Sequence, residues 1–304
     1  MKGAGVKPQG TTVVNCRGRS AMIERAKGLA VGAGLLLLAG CASTLGRPGG
    51  PPPAPASTDY KSEPEQTYTP AGAPAALHAD VYLPQGAGPF PAVLLIHGGA
   101  WVGGLRLEMS GIARRLAQRG YVAVNIGYRT APEFHYPAPI EDACTALRWM
   151  SGRAEAFKLD PRRIGIWGYS AGAQIGALIA TRPELCPVRP AAMVAGGLPA
   201  DLRGEEHNPF LKEFFGGSAE DLPTRYAQAS PIVYVTSDDP PMFLYHGTWD
   251  RVIHTDNARR MHEALDRAGV QNQLRLVHGT GHFATFAFGR GAAIEFFDRT
   301  LRRR

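Results

Sequence analysis

Seven short apolar runs punctuate the later part of the chain, at residues 77–83, 92–96, 121–126, 164–167, 191–195, 242–245 and 273–277. They are rich in aliphatic side chains and too short for buried helices, the pattern of strands covered on both faces. Between them, apolar positions recur with a helical period over 106–118, 140–149, 171–181, 256–268 and 292–302. The first and fourth of these stop at Gly120 and Gly269, as helices do. The alternation predicts an α/β fold with a mainly parallel central sheet and helices on both faces. About 230 residues share this one α/β pattern, so residues 76–304 read as one domain. Sheets of this kind carry their chemistry on loops that follow the carboxyl ends of the strands.

The region before that domain is of another kind. Residues 42–75 include eight prolines, at positions 48, 51, 52, 53, 55, 64, 70 and 74, and few large apolar side chains. This composition predicts a disordered, polyproline-like tether. Upstream stands Met22-Ile23-Glu24-Arg25-Ala26-Lys27, an apolar run at 29–38, and Leu38-Ala39-Gly40-Cys41. A basic stretch, an apolar core and small residues at a cleavage point describe an export signal over 1–41. The apolar run falls short of the ~20 residues that span a bilayer. Residues 1–21 have no signal character, which makes Met22 an alternative start of translation.

Charge changes the picture only through its placement. The formal net charge is +7, but residues 1–41 hold six basic groups against Glu24 alone, a net +5. The remaining +2 gives little support to a nucleic-acid partner. With 44% hydrophobic and 19% charged residues, the chain is neither disordered nor a coiled coil. Apart from Cys16 and Cys41, the cysteines are Cys144 and Cys186, an even pair open to two readings: one disulfide, or two buried thiols.

Four loops carry candidate chemistry. Ile164-Gly165-Ile166-Trp167 leads into Gly168-Tyr169-Ser170-Ala171-Gly172 and a helix of small residues, the strand–turn–helix setting of a nucleophile elbow. The glycines let Ser170 take a sharp turn, and the helix start offers amides to a developing oxyanion. Val93-Leu94-Leu95-Ile96 leads into His97-Gly98-Gly99-Ala100-Trp101, whose small residues allow close backbone approach to a carbonyl oxygen. Two later strands lead into loops containing Asp250 and His282. Ser170, Asp250 and His282 thus follow the nucleophile, acid, base order of an α/β-hydrolase.

Over residues 76–300 the chain resembles hormone-sensitive-lipase-like carboxylesterases of the α/β-hydrolase fold, and most nearly bacterial acetyl-xylan and feruloyl esterase-like proteins. The resemblance rests on Asp80-Val81-Tyr82-Leu83-Pro84, His97-Gly98-Gly99-Ala100-Trp101, Tyr128-Arg129-Thr130-Ala131-Pro132, Glu141-Asp142, the Ser170 motif, Asp250 and His282. It implies a Ser170–His282–Asp250 triad, with the amides of Gly99, Ala100 and Ala171 as oxyanion donors. Ala100 stands where a third glycine is usual. Kynurenine formamidases share His-Gly-Gly-x-Trp, so an amide substrate is the alternative to an ester. A non-catalytic surface-binding protein is a third reading, disfavoured by the intact triad. Separately, Leu38-Ala39-Gly40-Cys41 resembles the lipobox of bacterial lipoproteins. That implies a lipid on Cys41 and a place in the bacterial cell envelope.

Other polar residues fit structural roles better. His97 reads as a residue that orders its loop, and His246 as a structural position before the acid loop. His278 is separated from His282 by glycines, so the two do not form a helical metal pair. Asp201, Asp239 and Asp256 are rivals for the acid, with Asp256 expected to cap a helix. Residues 201–229 interrupt the strand–helix rhythm and read either as a partial lid or as a surface helix. Trp101, Tyr169 and Trp249 flank the triad and suit an aromatic or sugar-bearing ester. No phosphate-binding or dinucleotide fingerprint occurs, so no cofactor or metal is expected.

Overall fold

The computed structural model describes residues 42–46, 59–205 and 207–302. The signal expected over 1–41, including Cys41, lies outside them. Nine strands form one sheet: β1 (Ala42–Gly46), β2 (Tyr60–Thr67), β3 (His78–Pro84), β4 (Phe90–Ile96), β5 (Val122–Ile126), β6 (Leu159–Tyr169), β7 (Ala192–Gly196), β8 (Met242–Gly247) and β9 (Asn272–Val277). Their order is β1-β9-β8-β7-β6-β4-β5-β3-β2. The six strands from β9 to β5 run parallel, and β1, β3 and β2 are antiparallel to their neighbours. All seven strands expected from the apolar runs are present.

The helices are α1 (Ser110–Gln118), α2 (Ala138–Gly152), α3 (Ala171–Thr181), α4 (Pro209–Phe215), α5 (Pro223–Gln228), α6 (Asp256–Arg267), α7 (His282–Phe288) and α8 (Arg290–Leu301). The period-2 geometry of a strand sends alternate side chains to opposite faces. Ala92, Leu94 and Ile96 of β4 therefore join α2, α3 and α6 in one core, while Val93 and Leu95 join α1 and α8 in the other. Every residue of α3 is buried, because this helix is covered on all sides, and Gln174 and Thr181 are its only polar side chains.

The tether expected over 42–75 requires correction. Ala42–Gly46 pairs with β9 from Ala42↔Val277 to Gly46↔Gln273, and Tyr60–Thr67 pairs with β3. The sheet thus begins well before residue 76. Composition concealed β2 because it is an edge strand, Tyr60-Lys61-Ser62-Glu63-Pro64-Glu65-Gln66-Thr67, with mostly exposed side chains and Pro64 inside a register shift. Edges tolerate charge and proline that a central strand rejects. Strand directions place Gly46 and Tyr60 at the same end of the sheet, the amino end of the parallel strands, on opposite edges.

The two cysteine readings resolve into one. Cys144 on α2 and Cys186 after the 3₁₀ turn at Pro183–Leu185 form a disulfide, with their Cα atoms 5.4 Å apart. The bond ties α2 to the segment that leaves α3, across a separation of 42 residues. Chain-entropy arguments assign such a loop about 4 kcal/mol. A Cys144→Ala/Cys186→Ala variant should therefore melt roughly 10 °C below the wild type under oxidising conditions. Equal melting temperatures by calorimetry would show that the bond adds nothing.

Candidate active site

Ser170 occupies the single-residue turn between β6 and α3, at φ 53°, ψ −120°. A residue with a Cβ rarely adopts this conformation, which costs about 1–3 kcal/mol. The turn is held by Ser170 N–H donating to Gly196 O at 2.8 Å, and by Ala173 and Gln174 amides donating to Ser170 O. Its sharpness requires glycine at 172. A Cβ there would lie 2.2 Å from Ile96 O and 2.4 Å from His97 O, so α3 could not approach the end of β4.

That approach brings the His97–Trp101 loop over Ser170. Gly99, at φ 120°, starts a closed turn in which its carbonyl accepts from Val102 and Gly103 amides at 3.1 and 3.0 Å. Ala100 and Trp101 follow at φ 53° and 62°. Ala100 thus takes left-handed backbone where glycine is the usual occupant. Among the described residues, neither the Gly99 nor the Ala100 amide donates to a backbone carbonyl. His97 is buried, donates from Nδ1 to Gly98 O at 2.6 Å, and stacks on Tyr128 at 4.3 Å. Burial pulls its pKa below the ordinary value. It orders the loop.

The loops after β8 and β9 complete the cluster. His282 Nε2 lies 2.9 Å from Ser170 Oγ, and His282 Nδ1 lies 2.7 Å from Asp250 Oδ2. Asp250 is 4% exposed and accepts on Oδ1 from the Val252 and Ile253 amides, each at 2.9 Å. Burial pushes its pKa up, but hydrogen bonds from His246, His282 and the Ile253 amide outweigh this and hold it below the ordinary value. The sign follows: Asp250 contributes stability above the usual carboxylate range, and loses it as pH falls through the depressed value. His282 opens α7 rather than lying within a loop, a helix that the sequence pattern did not reveal.

His246 has a closer role than the sequence suggested. Its Nε2 lies 2.8 Å from Ile253 O and 3.2 Å from Asp250 Oδ2, so both neighbours accept and Nε2 carries the hydrogen. The ring is fully buried, and its Nδ1 has no partner among the described residues. His246 therefore fixes the acid and the loop that holds it. The i, i+4 spacing to Asp250 was the available signal, and it carries no meaning outside a known turn.

The rival residues sit elsewhere. Asp201 is held by Arg203 and Arg260, and Asp239 accepts from the Thr236 amide at 3.2 Å. Asp256 makes no side-chain cap and faces His254 at 3.3 Å, while Thr255 is the N-cap of α6. His278 Nε2 pairs with Ser43 Oγ at 3.0 Å. Among the described residues, no three His, Cys, Asp or Glu side chains gather as a metal site would require.

A cleft of about 560 Å³ opens above Ser170, lined by Ala100, Trp101, His207, Phe210 and Val252 among others. Gly204, Glu205, His207, Asn208, Pro209 and Phe210 form one wall of it, and α4, which begins in that wall, is fastened in place. Phe214 of α4 stacks on Trp101 at 4.9 Å, and its carbonyl accepts from the Tyr136 amide. Trp101 Nε1 donates to Gln174 Oε1 at 2.9 Å, and Gln174 Nε2 donates to Ala229 O at 2.7 Å. The wall, the His97–Trp101 loop and α3 are thus one packed unit. Tyr169 is buried, with its hydroxyl on His282 O, and Trp249 is 71% exposed outside the cleft lining. Of the three expected flanking aromatics, only Trp101 faces the cleft.

Two family models match the sequence: BD-FAE over residues 79–186, and the prolyl oligopeptidase family over residues 137–299. Esterase LipQ of Mycobacterium tuberculosis is 33% identical over 196 residues, covering 59% of this chain and 47% of the relative. Esterase LipC of the same organism is 31% identical over 216 residues, covering 64% and 53%. The chain spans about half the length of these relatives. Among solved structures, a truncated carbohydrate esterase from gut microbiota superposes with a TM-score of 0.72 at 22% identity, over 83% of this chain and all of that one. A bacterial heroin esterase superposes at 0.68 with 25% identity, over 81% and 85%.

The His246 contact yields a test that needs no substrate. Removing one donor to a buried carboxylate costs about 1.5–3 kcal/mol, so His246→Leu should slow fluorophosphonate labelling of Ser170 on the order of 10–100-fold. His246→Gln, which keeps a donor near the Nε2 position, should recover most of the rate. Equal labelling in all three proteins would contradict a role in placing Asp250.

Proposed function

The chain belongs to the α/β-hydrolases, in the prolyl oligopeptidase family, and on that footing we propose that it is a serine-dependent hydrolase of carboxylic esters. The observation that carries this reading is the series Ser170 Oγ, His282 and Asp250 at 2.9 and 2.7 Å, beside a loop whose Gly99 and Ala100 amides have no backbone acceptor among the described residues. Ser170 Oγ attacks the ester carbonyl carbon and passes its proton to His282 Nε2. Charge collecting on the carbonyl oxygen is met by the amides of Gly99, Ala100 and Ala171, the last at the positive end of α3. His282 returns the proton to the departing alcohol as the acyl–oxygen bond breaks. Water then enters, deprotonated by the same nitrogen, and releases the acid from Ser170. Asp250 holds the imidazole in the tautomer both steps need and stabilises its cation.

The cleft supports small substrates. Trp101, Phe210 and Val252 give it apolar walls, and Glu205 and His207 add polar groups. This suits short acyl groups on alkyl, aryl or acetylated carbohydrate alcohols. One structural neighbour is a carbohydrate esterase, which agrees with the last class. A second reading is amide hydrolysis, of the peptidase or kynurenine-formamidase kind, which family membership favours because the same triad cleaves amides.

We further propose an exported lipoprotein, anchored through Cys41 in the bacterial cell envelope. The lipobox-like sequence supports this, and the Cys144–Cys186 disulfide suits an oxidising compartment. Among the described residues no helix is long and apolar enough to cross a membrane.

Ser170→Ala should lower kcat/KM on p-nitrophenyl acetate by on the order of 10⁵-fold or more, with an unchanged melting temperature. The wild type should turn over this ester faster than p-nitroacetanilide. Wild-type rates in the variant would remove Ser170 from the mechanism, and a faster anilide would favour the amidase reading.

A further inference from the structure

The register of β1 says where an anchor on Cys41 would leave the domain. Ala42 pairs with Val277, the last residue of β9. That end of β9 feeds the His278–His282 loop, and Ser43 Oγ bonds His278 Nε2 at 3.0 Å. Ala42, the residue that follows Cys41 in the sequence, therefore stands at the end of the sheet that bears Ser170 and His282. The proline-rich residues 47–58 follow β1 and connect it to β2 of the same sheet. They do not stand between Cys41 and the sheet, and so cannot lift a paired β1 away from its anchor.

The same end is apolar. Leu105, Leu107, Phe210, Trp249, Val252 and Phe283 are between 48% and 83% exposed, and each follows the carboxyl end of a parallel strand. Phe210 and Val252 line the cleft, and Phe283 meets the edge of the His282 ring at 5.6 Å. Most large exposed apolar side chains among the described residues thus lie on segments that follow the carboxyl ends of parallel strands, the end that bears the cleft. Exposed Trp, Phe and Leu beside a lipid anchor are what a protein face needs to sit in the headgroup region of a bilayer.

We propose that the mouth of the cleft docks on the bilayer holding the Cys41 lipid, so that the enzyme takes ester substrates dissolved in that bilayer or at its surface. The inference rests on the ester-hydrolase and lipoprotein readings above, and adds the orientation and the substrate class. Trp249 and Leu107 enter the interface without lining the cleft. Phe210 and Val252 then meet acyl or alcohol chains arriving from the lipid side, and the wall fastened through α4 needs no opening movement to admit them.

The test uses the full-length, lipidated protein in phosphatidylethanolamine–phosphatidylglycerol vesicles with brominated acyl chains. Trp101 and Trp167 are buried and Trp149 is partly buried, so quenching on vesicle binding reads chiefly Trp249. Quenching in the wild type and its loss in Trp249→Ser are expected. A Leu107→Ser/Trp249→Ser variant should hydrolyse a fluorogenic long-chain ester dissolved in the vesicles about tenfold more slowly. Its rate on water-soluble p-nitrophenyl acetate should stay within about twofold of wild type. Unquenched Trp249 in bound protein, equal loss on both esters, or undiminished attack on acetylated xylan by the vesicle-bound enzyme would overturn the orientation. The underlying readings fail separately. No Ser170-dependent turnover of p-nitrophenyl acetate defeats the hydrolase, and vesicle binding unchanged in Cys41→Ser defeats the anchor, while quenching still reports which face meets the lipid.

Discussion

The backbone of Ser170 is the constraint on which the site depends. A serine at φ 53°, ψ −120° is strained, and it persists because β6, α3 and the end of β4 leave the chain no other path. Gly172 admits α3 to within contact of Ile96 O and His97 O. That contact sets the distance between the Ser170 turn and the His97–Trp101 loop, which carries the other proposed oxyanion donors. Closing the same end of the sheet, β8 and β9 deliver Asp250 and His282 with a spread small enough for two short hydrogen bonds. The parallel sheet is thus a positioning device. Its register, set by alternating apolar residues facing two cores, places three distant side chains in line.

The strain at Ser170 is supported from outside the turn as well. Gln174 uses its amide nitrogen on Ala229 O and its oxygen on Trp101 Nε1, so one buried side chain joins α3, the His97–Trp101 loop and the segment ending at Ala229. Buried polar groups satisfied at both ends rigidify their surroundings. Stacking of Trp101 on Phe214 adds a second fastening. A wall held in this way shapes a cleft and sets its width, where a lid would open and close.

The central sheet was legible in the sequence because strands buried on both faces are continuous apolar runs, and β3 to β9 all have them. Ser170, Asp250 and His282 were legible because each follows such a run, in a recognisable order. What stayed hidden obeys different physics. The edge strand β2 is polar because one side of it faces water, and β1, Ala42-Ser43-Thr44-Leu45-Gly46, has Leu45 as its one large apolar residue. Helix α7 begins at His282 without a sequence signal such as a side-chain cap. The part played by His246 depends on a turn that brings Ile253 O and Asp250 Oδ2 to one nitrogen. The disulfide needed three-dimensional proximity that two isolated cysteines cannot announce.

Covalent chemistry at Ser170 is directly measurable. Turnover of a p-nitrophenyl ester quenched in acid within the first seconds, followed by peptide mapping by mass spectrometry, should find the acyl group on the peptide holding Gly168-Tyr169-Ser170-Ala171-Gly172. It should be esterified to Ser170 and absent from His282→Ala. Hydrolysis proceeding at full rate with no acyl group on Ser170, or with the acyl group on another residue, would contradict it.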